Sequence, residues 1–245
     1  MKRKLIIPLI VLAFCSGCCT NSENNKKDSG ITAKTAPREH VLTAGDQAKL
    51  TPDQVISELK EGNKHFTGNT LTLNNFPEQI KKSVDAQFPE AVILSCMDSR
   101  VPPEYIFDKS IGDLFVIRVA GNIINQDILG SMEYACKESG AKLIIVMGHQ
   151  HCGAVKAAIE DIKLGNITGL LQKIRPAIEK SASFQGEKSY KNEEYLSLVC
   201  LNNVVASMSE IKTRSPILKE MSDKGEIRIV GALYELNTGI VKFLE

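Results

Sequence analysis

The sequence has no excess of charge of either sign and little disulfide-forming capacity. Its 245 residues carry 30 Lys and Arg against 29 Asp and Glu, whereas a nucleic-acid-binding surface usually requires a clear basic excess. Seven cysteines are too few for a disulfide scaffold in a chain of this length. The N-terminal apolar run, residues 5–14, is well short of the roughly 20 residues that cross a bilayer as a helix. The composition therefore indicates a globular protein that does not bind nucleic acid.

The N terminus has the order of a secretory signal peptide. Three cations precede the apolar run, and the small residues Ser16 and Gly17 lie between it and Cys18, as expected for a segment that is cleaved. The ending resembles a bacterial lipoprotein signal, in which the cysteine is lipidated and becomes the mature N terminus. We therefore expect a signal peptide at 1–17 and lipidation of Cys18. The alternative is an ordinary cleaved signal with incidental cysteines.

The segment after the signal is polar and aperiodic. Residues 18–48 contain few apolar anchors, which predicts a flexible tether, and the folded domain is expected over 49–245. Export and lipidation would place that domain in a bacterial cell envelope. The residue after Cys18 is Cys19 and not Asp, so the expected location is the outer membrane, with the domain facing the periplasm.

The domain alternates short apolar runs with helical segments. This pattern predicts an α/β fold, a mostly parallel β-sheet with flanking helices. The turn Asn237–Gly239 predicts that the last strand is an antiparallel C-terminal edge. Residues 154–222 contain no convincing strand and are expected to be largely helical. The predicted strands are 91–95, 114–119, 143–147, 227–234 and 240–244.

Two of these strands run into residues that can bind metal. The first ends at Cys96-Met-Asp-Ser-Arg100, and the third ends at His149-Gln-His-Cys152. Ligands of open parallel sheets bind beyond the carboxyl ends of the strands, so both motifs are expected at one edge. Two thiolates and an imidazole suit Zn²⁺, and three protein ligands leave the open position of a catalytic site. Each motif alone has a structural explanation, a buried cysteine or a local ion pair; their joint placement favours the metal site.

The paired motif resembles the signature of the β-class carbonic anhydrases, Cys-x-Asp-x-Arg followed by His-x-x-Cys. Residues 101–108 and 112–122 are similar to the family as well, and the similarity covers roughly 50–245. The resemblance implies the β-carbonic anhydrase-like fold and one Zn²⁺ per chain, on Cys96, His149 and Cys152. It also implies the reversible hydration of CO₂ to bicarbonate and a proton by a zinc-bound hydroxide. The expected assembly is a homodimer or a larger oligomer built from dimers.

The resemblance further assigns roles to single residues. Asp98 and Arg100 match the dyad beside the metal. Three substrate-binding positions match Gln87, at the dimer interface, Tyr134, and Gly153 through its backbone N–H. His151, between the ligands, is not expected to bind the metal.

Several alternatives stay open at this point. Some family members close the site at low pH by placing the aspartate on zinc, with a bicarbonate pocket that includes a Trp and an Arg. This chain has no Trp, which favours a permanently open site, but Arg118 matches the pocket arginine. Related proteins hydrolyse CS₂ or COS, and a non-catalytic zinc-binding envelope lipoprotein is a third reading. Cys136 and Cys200 could be core residues or form a disulfide.

Overall fold

The computed structural model describes residues 36–244. The expected signal peptide, Cys18 and most of the expected tether lie outside the described residues. Within this range, no helix combines the length and the apolar character needed to cross a membrane.

A five-stranded sheet forms the centre of the domain. Its strands lie in the order β2-β1-β3-β4-β5. The first four strands pair in parallel, and β5 pairs antiparallel to β4, so the predicted α/β fold with an antiparallel C-terminal edge is confirmed. The strands are β1 Ala91–Ser95, β2 Leu114–Arg118, β3 Leu143–His149, β4 Arg228–Tyr234 and β5 Val241–Leu244.

Burial explains the composition of the strands. Every residue of β1 and β3 is buried, because helices cover both faces of a parallel sheet. Strand β2 lies at one edge and is only half-buried. Side chains of β1 and β3 alternate between two apolar clusters, one on each face of the sheet.

Helices occupy the connections, as predicted for 154–222. Helix α2 begins at Pro52 behind the capping residue Thr51, a start that the sequence pattern indicates. Helix α5 continues as one π-helical turn, Tyr134–Glu138. The helices are α1 Ala44–Lys49, α2 Pro52–Thr67, α3 Phe76–Lys82, α4 Pro103–Ile106, α5 Gln126–Glu133, α6 Gly153–Ile159, α7 Gly165–Gln172, α8 Arg175–Lys180, α9 Glu193–Arg214 and α10 Pro216–Asp223.

The folded domain begins before the expected boundary at residue 49. Residues from Ala36 onward belong to the same compact unit as the rest of the domain. Gln47 is buried and donates through Nε2 to the carbonyl oxygens of Pro89 and Ser139, at 2.8 Å each. The polar composition of residues 36–48 predicts a flexible tether, and the structure differs from this prediction. These residues pack on the domain through the buried side chain of Val41 and through hydrogen bonds, and hydrophobic patterning does not reveal these bonds.

Candidate metal centre

Two neighbouring strands end at the same edge of the sheet. Strands β1 and β3 are parallel, with Ser95 opposite Met147, so the residues that follow both strands emerge side by side. Cys96 is the first residue after β1, and His149 is the last residue of β3. Cys152 directly precedes helix α6. The topology therefore brings the two sequence motifs together, as the strand-end argument predicts.

Cys96, His149 and Cys152 form a buried group of donors. One ligand atom from each lies within 4.8 Å of the other two, and the two sulfur atoms are 3.9 Å apart. His149 Nδ1 donates to the carbonyl oxygen of Gln150 at 2.8 Å, which leaves the lone pair on Nε2. Nε2 is buried and has no protein partner. A buried imidazole nitrogen within 4.8 Å of two sulfur atoms fits a tetrahedral Zn²⁺ with a fourth, open position.

The electrostatics favour the thiolate form of Cys96. The thiol of Cys152, by hydrogen bonding, lowers the pKa of Cys96, and burial opposes this shift. The backbone N–H of Gly121 donates to Cys96 Sγ at 3.4 Å. Because metal ligation requires the deprotonated sulfur, both contacts prepare Cys96 to bind a cation.

Asp98 and Arg100 form a two-pronged ion pair beside the donors. Arg100 donates from Nε to Oδ1 at 2.9 Å and from Nη2 to Oδ2 at 2.8 Å, and its backbone N–H donates to Oδ1 at 3.0 Å. Oδ2 of Asp98 is 3.9 Å from His149 Nε2. Hydrogen bonding by Arg100 holds the pKa of Asp98 well below its usual range. An ionised acceptor therefore faces the open side of the donor group.

Arg118 and His151 lie near the donor group, but their side chains contact other atoms. Arg118 donates from Nε to the carbonyl oxygen of Cys96 at 3.2 Å and from Nη2 to that of Asp98 at 2.5 Å. Its guanidinium thus holds both ends of the segment Cys96–Asp98. His151 is exposed, with Nδ1 3.3 Å from Glu193 Oε2, and lies outside the donor group. Sequence reasoning did not assign Arg118 this contact with backbone carbonyls.

The three residues predicted to bind substrate lie at the surface. Gln87 is exposed in the loop before β1, and Gly153 is exposed at the start of α6. A Cβ on Gly153 would meet no atom within 4 Å, so space is open above its backbone. Tyr134 is 58% exposed and lines a groove beside edge strand β2 with Phe115. Within one chain, neither Gln87 nor Tyr134 joins the buried donors.

The two remaining cysteines of the described range are free and buried. They lie in different apolar clusters, Cys136 in the π-helical turn that continues α5 and Cys200 beside Cys152. Burial raises the pKa of Cys136 to about 12 and that of Cys200 to about 11. Of the two open readings, the structure supports core residues rather than a disulfide.

Comparison with known proteins identifies relatives of this chain. Residues 91–241 match a family model described as carbonic anhydrase. Carbonic anhydrase 2 of Mycobacterium tuberculosis is 34% identical over 193 residues, covering 74% of this chain and 87% of that protein. The carbonic anhydrase of Mycolicibacterium smegmatis is also 34% identical, covering 75% and 89%. The solved β-carbonic anhydrase CcaA superimposes with a TM-score of 0.62 at 25% identity, covering 79% of this chain and 94% of that chain.

Proposed function

The chain belongs to the β-class carbonic anhydrases, and from this premise we infer how its own residues support the reversible hydration of CO₂ to bicarbonate and a proton. The family match and the relatives carry the assignment of activity. The observation that supports the assignment of the metal site is the buried group of Cys96, His149 and Cys152, in which one imidazole nitrogen has no partner. Zinc is the cofactor, and these three residues would hold it. When bound, zinc supplies Lewis-acid chemistry that makes water a nucleophile near neutral pH.

Asp98 is proposed to orient the nucleophile. Its carboxylate is ionised and lies beside the donors, with Oδ2 3.9 Å from His149 Nε2. A carboxylate in this place accepts a hydrogen bond and directs the oxygen lone pair of the nucleophile toward carbon. Arg100 keeps both Asp98 oxygens turned to itself through a bidentate contact. This dyad favours catalysis over a purely zinc-binding role, which has no use for it.

The assay that tests this function uses full-length mature protein loaded with zinc. Stopped-flow measurement of CO₂ hydration should show turnover that an Asp98→Ala variant largely loses at equal zinc content. Hydrolysis of CS₂ and COS should be measured in parallel, since a related-fold hydrolase is the main alternative. Turnover of CS₂ or COS without CO₂ hydration would reject the proposal.

We further propose that the working unit is a homodimer or an assembly of dimers. Three observations support it: edge strand β2 is only half-buried, and Tyr134 and Gln87 are exposed apart from the donors. A second copy across the β2 edge would bring such residues to a shared active-site cleft. Two solved fungal β-carbonic anhydrases of the same fold, from Sordaria macrospora, are described as tetrameric. Sedimentation of the mature protein should give an even number of chains, and a monomer would reject the proposal.

Localisation in the cell envelope is proposed on sequence grounds. The cationic start, the apolar run and Cys18 lie outside the described residues, and they support export with lipid anchoring. Fractionation should find the wild-type protein with membranes and Cys18→Ala in the soluble fraction, with Cys19→Ala as the matched control. Wild-type protein found entirely in the soluble fraction would contradict the anchor.

A further inference from the structure

Helix α9 carries buried polar side chains in its middle. Asn203 and Ser207 are both buried, although polar groups are costly in an apolar interior unless they are hydrogen-bonded. Asn203 Nδ2 donates to the carbonyl oxygen of Gly121 at 2.7 Å, and Ser207 Oγ donates to that of Asn122 at 3.1 Å. Both side chains therefore hold one short turn, Ala120–Asn122, that follows strand β2.

That turn has an unusual backbone. Gly121 has φ +72° and Asn122 has φ +42°, so two consecutive residues lie in the left-handed region. A Cβ on Gly121 would also come within 2.7 Å of Ile174 Cδ1. A conformation of this kind persists only where its surroundings determine it. Two hydrogen bonds from α9 to its carbonyl groups provide that support.

The turn faces the metal centre. In this conformation the backbone N–H of Gly121 donates to Cys96 Sγ at 3.4 Å. Helix α9 can lie close to strand β3 because Gly148, the residue before His149, has no side chain. A Cβ at Gly148 would lie 2.6 Å from Val204 Cγ2. The residue next to Val204 is Asn203. Helix α9 thus connects, through the C=O and the N–H of one residue, Gly121, to a sulfur of the donor group.

The structure assigns Asn203 the role of a positioning residue that acts on Cys96 by fixing the backbone of Gly121. The carbonyl and the N–H of this turn are held in place so that one donor always points at the sulfur. A hydrogen bond to a thiolate stabilises its lone pairs and fixes its direction. Groups behind the ligands commonly tune metal affinity in this way. The inference rests on the proposed function, since it needs Cys96 to be a zinc ligand.

The chain offers a matched control on the same helix. Asn202 is also buried, and its Nδ2 donates to Ser181 Oγ at 2.8 Å, a contact among helices and away from the donors. Asn203→Ala and Asn202→Ala remove the same atoms from adjacent positions. Both should lose stability, but only Asn203→Ala should change the metal centre.

The experiment measures the metal directly on the full-length mature protein. Substituting Co²⁺ for Zn²⁺ gives a sulfur-to-cobalt charge-transfer band, which should move to lower energy in Asn203→Ala because the sulfur loses a hydrogen bond. The dissociation constant for Zn²⁺, measured against a competing chelator, should rise about 10- to 100-fold. Asn202→Ala should match the parent in both measurements.

A second variant keeps the test informative if Asn203→Ala does not fold. Ser207→Ala removes only the neighbouring support and should move the band in the same direction by less. Parental spectra in the folded variants, or equal shifts in Asn202→Ala, would overturn the positioning role while leaving the proposed function intact. A parent protein that binds neither Zn²⁺ nor Co²⁺ would instead overturn the metal centre and the proposed function with it.

Discussion

Strand β1 has a pair of a carboxyl group and a cation at each end, and the pKa values of the two carboxyl groups are shifted in opposite directions. Before the strand, Lys109 Nζ lies 2.7 Å from Glu90 Oε1, and the Glu90 side chain is 2% exposed. After the strand, Arg100 Nη2 lies 2.8 Å from Asp98 Oδ2, and the Asp98 side chain is 16% exposed. Burial raises the pKa of Glu90 to about 7, whereas hydrogen bonds from Arg100 lower the pKa of Asp98.

The difference shows which effect prevails in each place. Asp98 receives three hydrogen bonds from Arg100 and keeps some contact with solvent, so the charged form is favoured. Glu90 has a single ammonium partner, and desolvation outweighs that attraction. The carboxyl end of β1 therefore holds an ionised acceptor suited to catalysis. The amino end holds a group whose charge affects stability instead.

The largest expected effect tests the centre that Asp98 serves. Cys96→Ser and His149→Ala should each abolish most zinc binding, because each removes one of three protein ligands. Metal analysis of purified protein should find about one zinc per chain in the parent and little in these variants. Cys200 is a buried cysteine outside the donor group, so Cys200→Ser is the control and should retain zinc. Full zinc in Cys96→Ser would contradict the ligand assignment.

Breaking the pair at the carboxyl end should reduce activity strongly without removing the metal. In Arg100→Ala, Asp98 loses its bidentate partner and becomes free to turn toward the cation. CO₂ hydration should fall by roughly 10²-fold or more, the scale on which a positioned acid or base contributes, while zinc content stays near one per chain. The cobalt spectrum should change from that of the parent.

Two further variants sharpen this prediction. Asp98→Ala/Arg100→Ala should restore a parent-like cobalt spectrum but remain slow, because it lacks the acceptor. Lys109→Ala, which breaks the pair at the other end of β1, should keep the turnover of folded enzyme. Near-normal CO₂ hydration in Arg100→Ala would show that the pair does not control the site.

The Glu90–Lys109 pair at the amino end of β1 should make the free energy of unfolding depend on pH. The folded pKa of Glu90, about 7, lies above its unfolded value near 4.5, so the folded state binds more protons between these values. The free energy of unfolding should therefore fall as pH rises from 4.5 to 7, by on the order of 2–3 kcal/mol from this group. Urea unfolding of parent and Glu90→Gln across that range should show a smaller decline in the variant. Equal slopes would mean that Glu90 ionises normally.

The smallest expected effect also concerns Glu90. Lys109→Met removes the cation that favours its charged form, so the decline in stability with pH should extend above pH 7. Glu58, whose Oε2 is 3.4 Å from Lys109 Nζ, is more exposed, and Glu58→Gln should leave the profile nearly unchanged. The same urea series measures both. A profile in Lys109→Met that matched the parent would remove Lys109 from this account.

Much of the fold and of the site could be predicted from local sequence. The runs 91–95 and 143–147 are continuously apolar because both faces of a parallel sheet are covered, so the buried strands could be predicted before the structure was known. Cys96 and His149 follow from the same argument, since they stand where those strands end. The roles of Gln87 and Tyr134 remain predictions, because they depend on contacts that a single chain does not make.

The sequence alone is sufficient to predict the buried strands, the parallel orientation that their helical connections require, and the donor set at the sheet edge. Each of these follows from residue type and spacing along the chain. Only the three-dimensional structure shows that residues 36–48 pack on the domain, that the Glu90 side chain is buried away from solvent, and that Asn203 supports Gly121. These three depend on hydrogen bonds and desolvation between segments far apart in sequence. Hydrophobic periodicity records which residues are apolar, and it holds no information about which carbonyl a buried amide will meet.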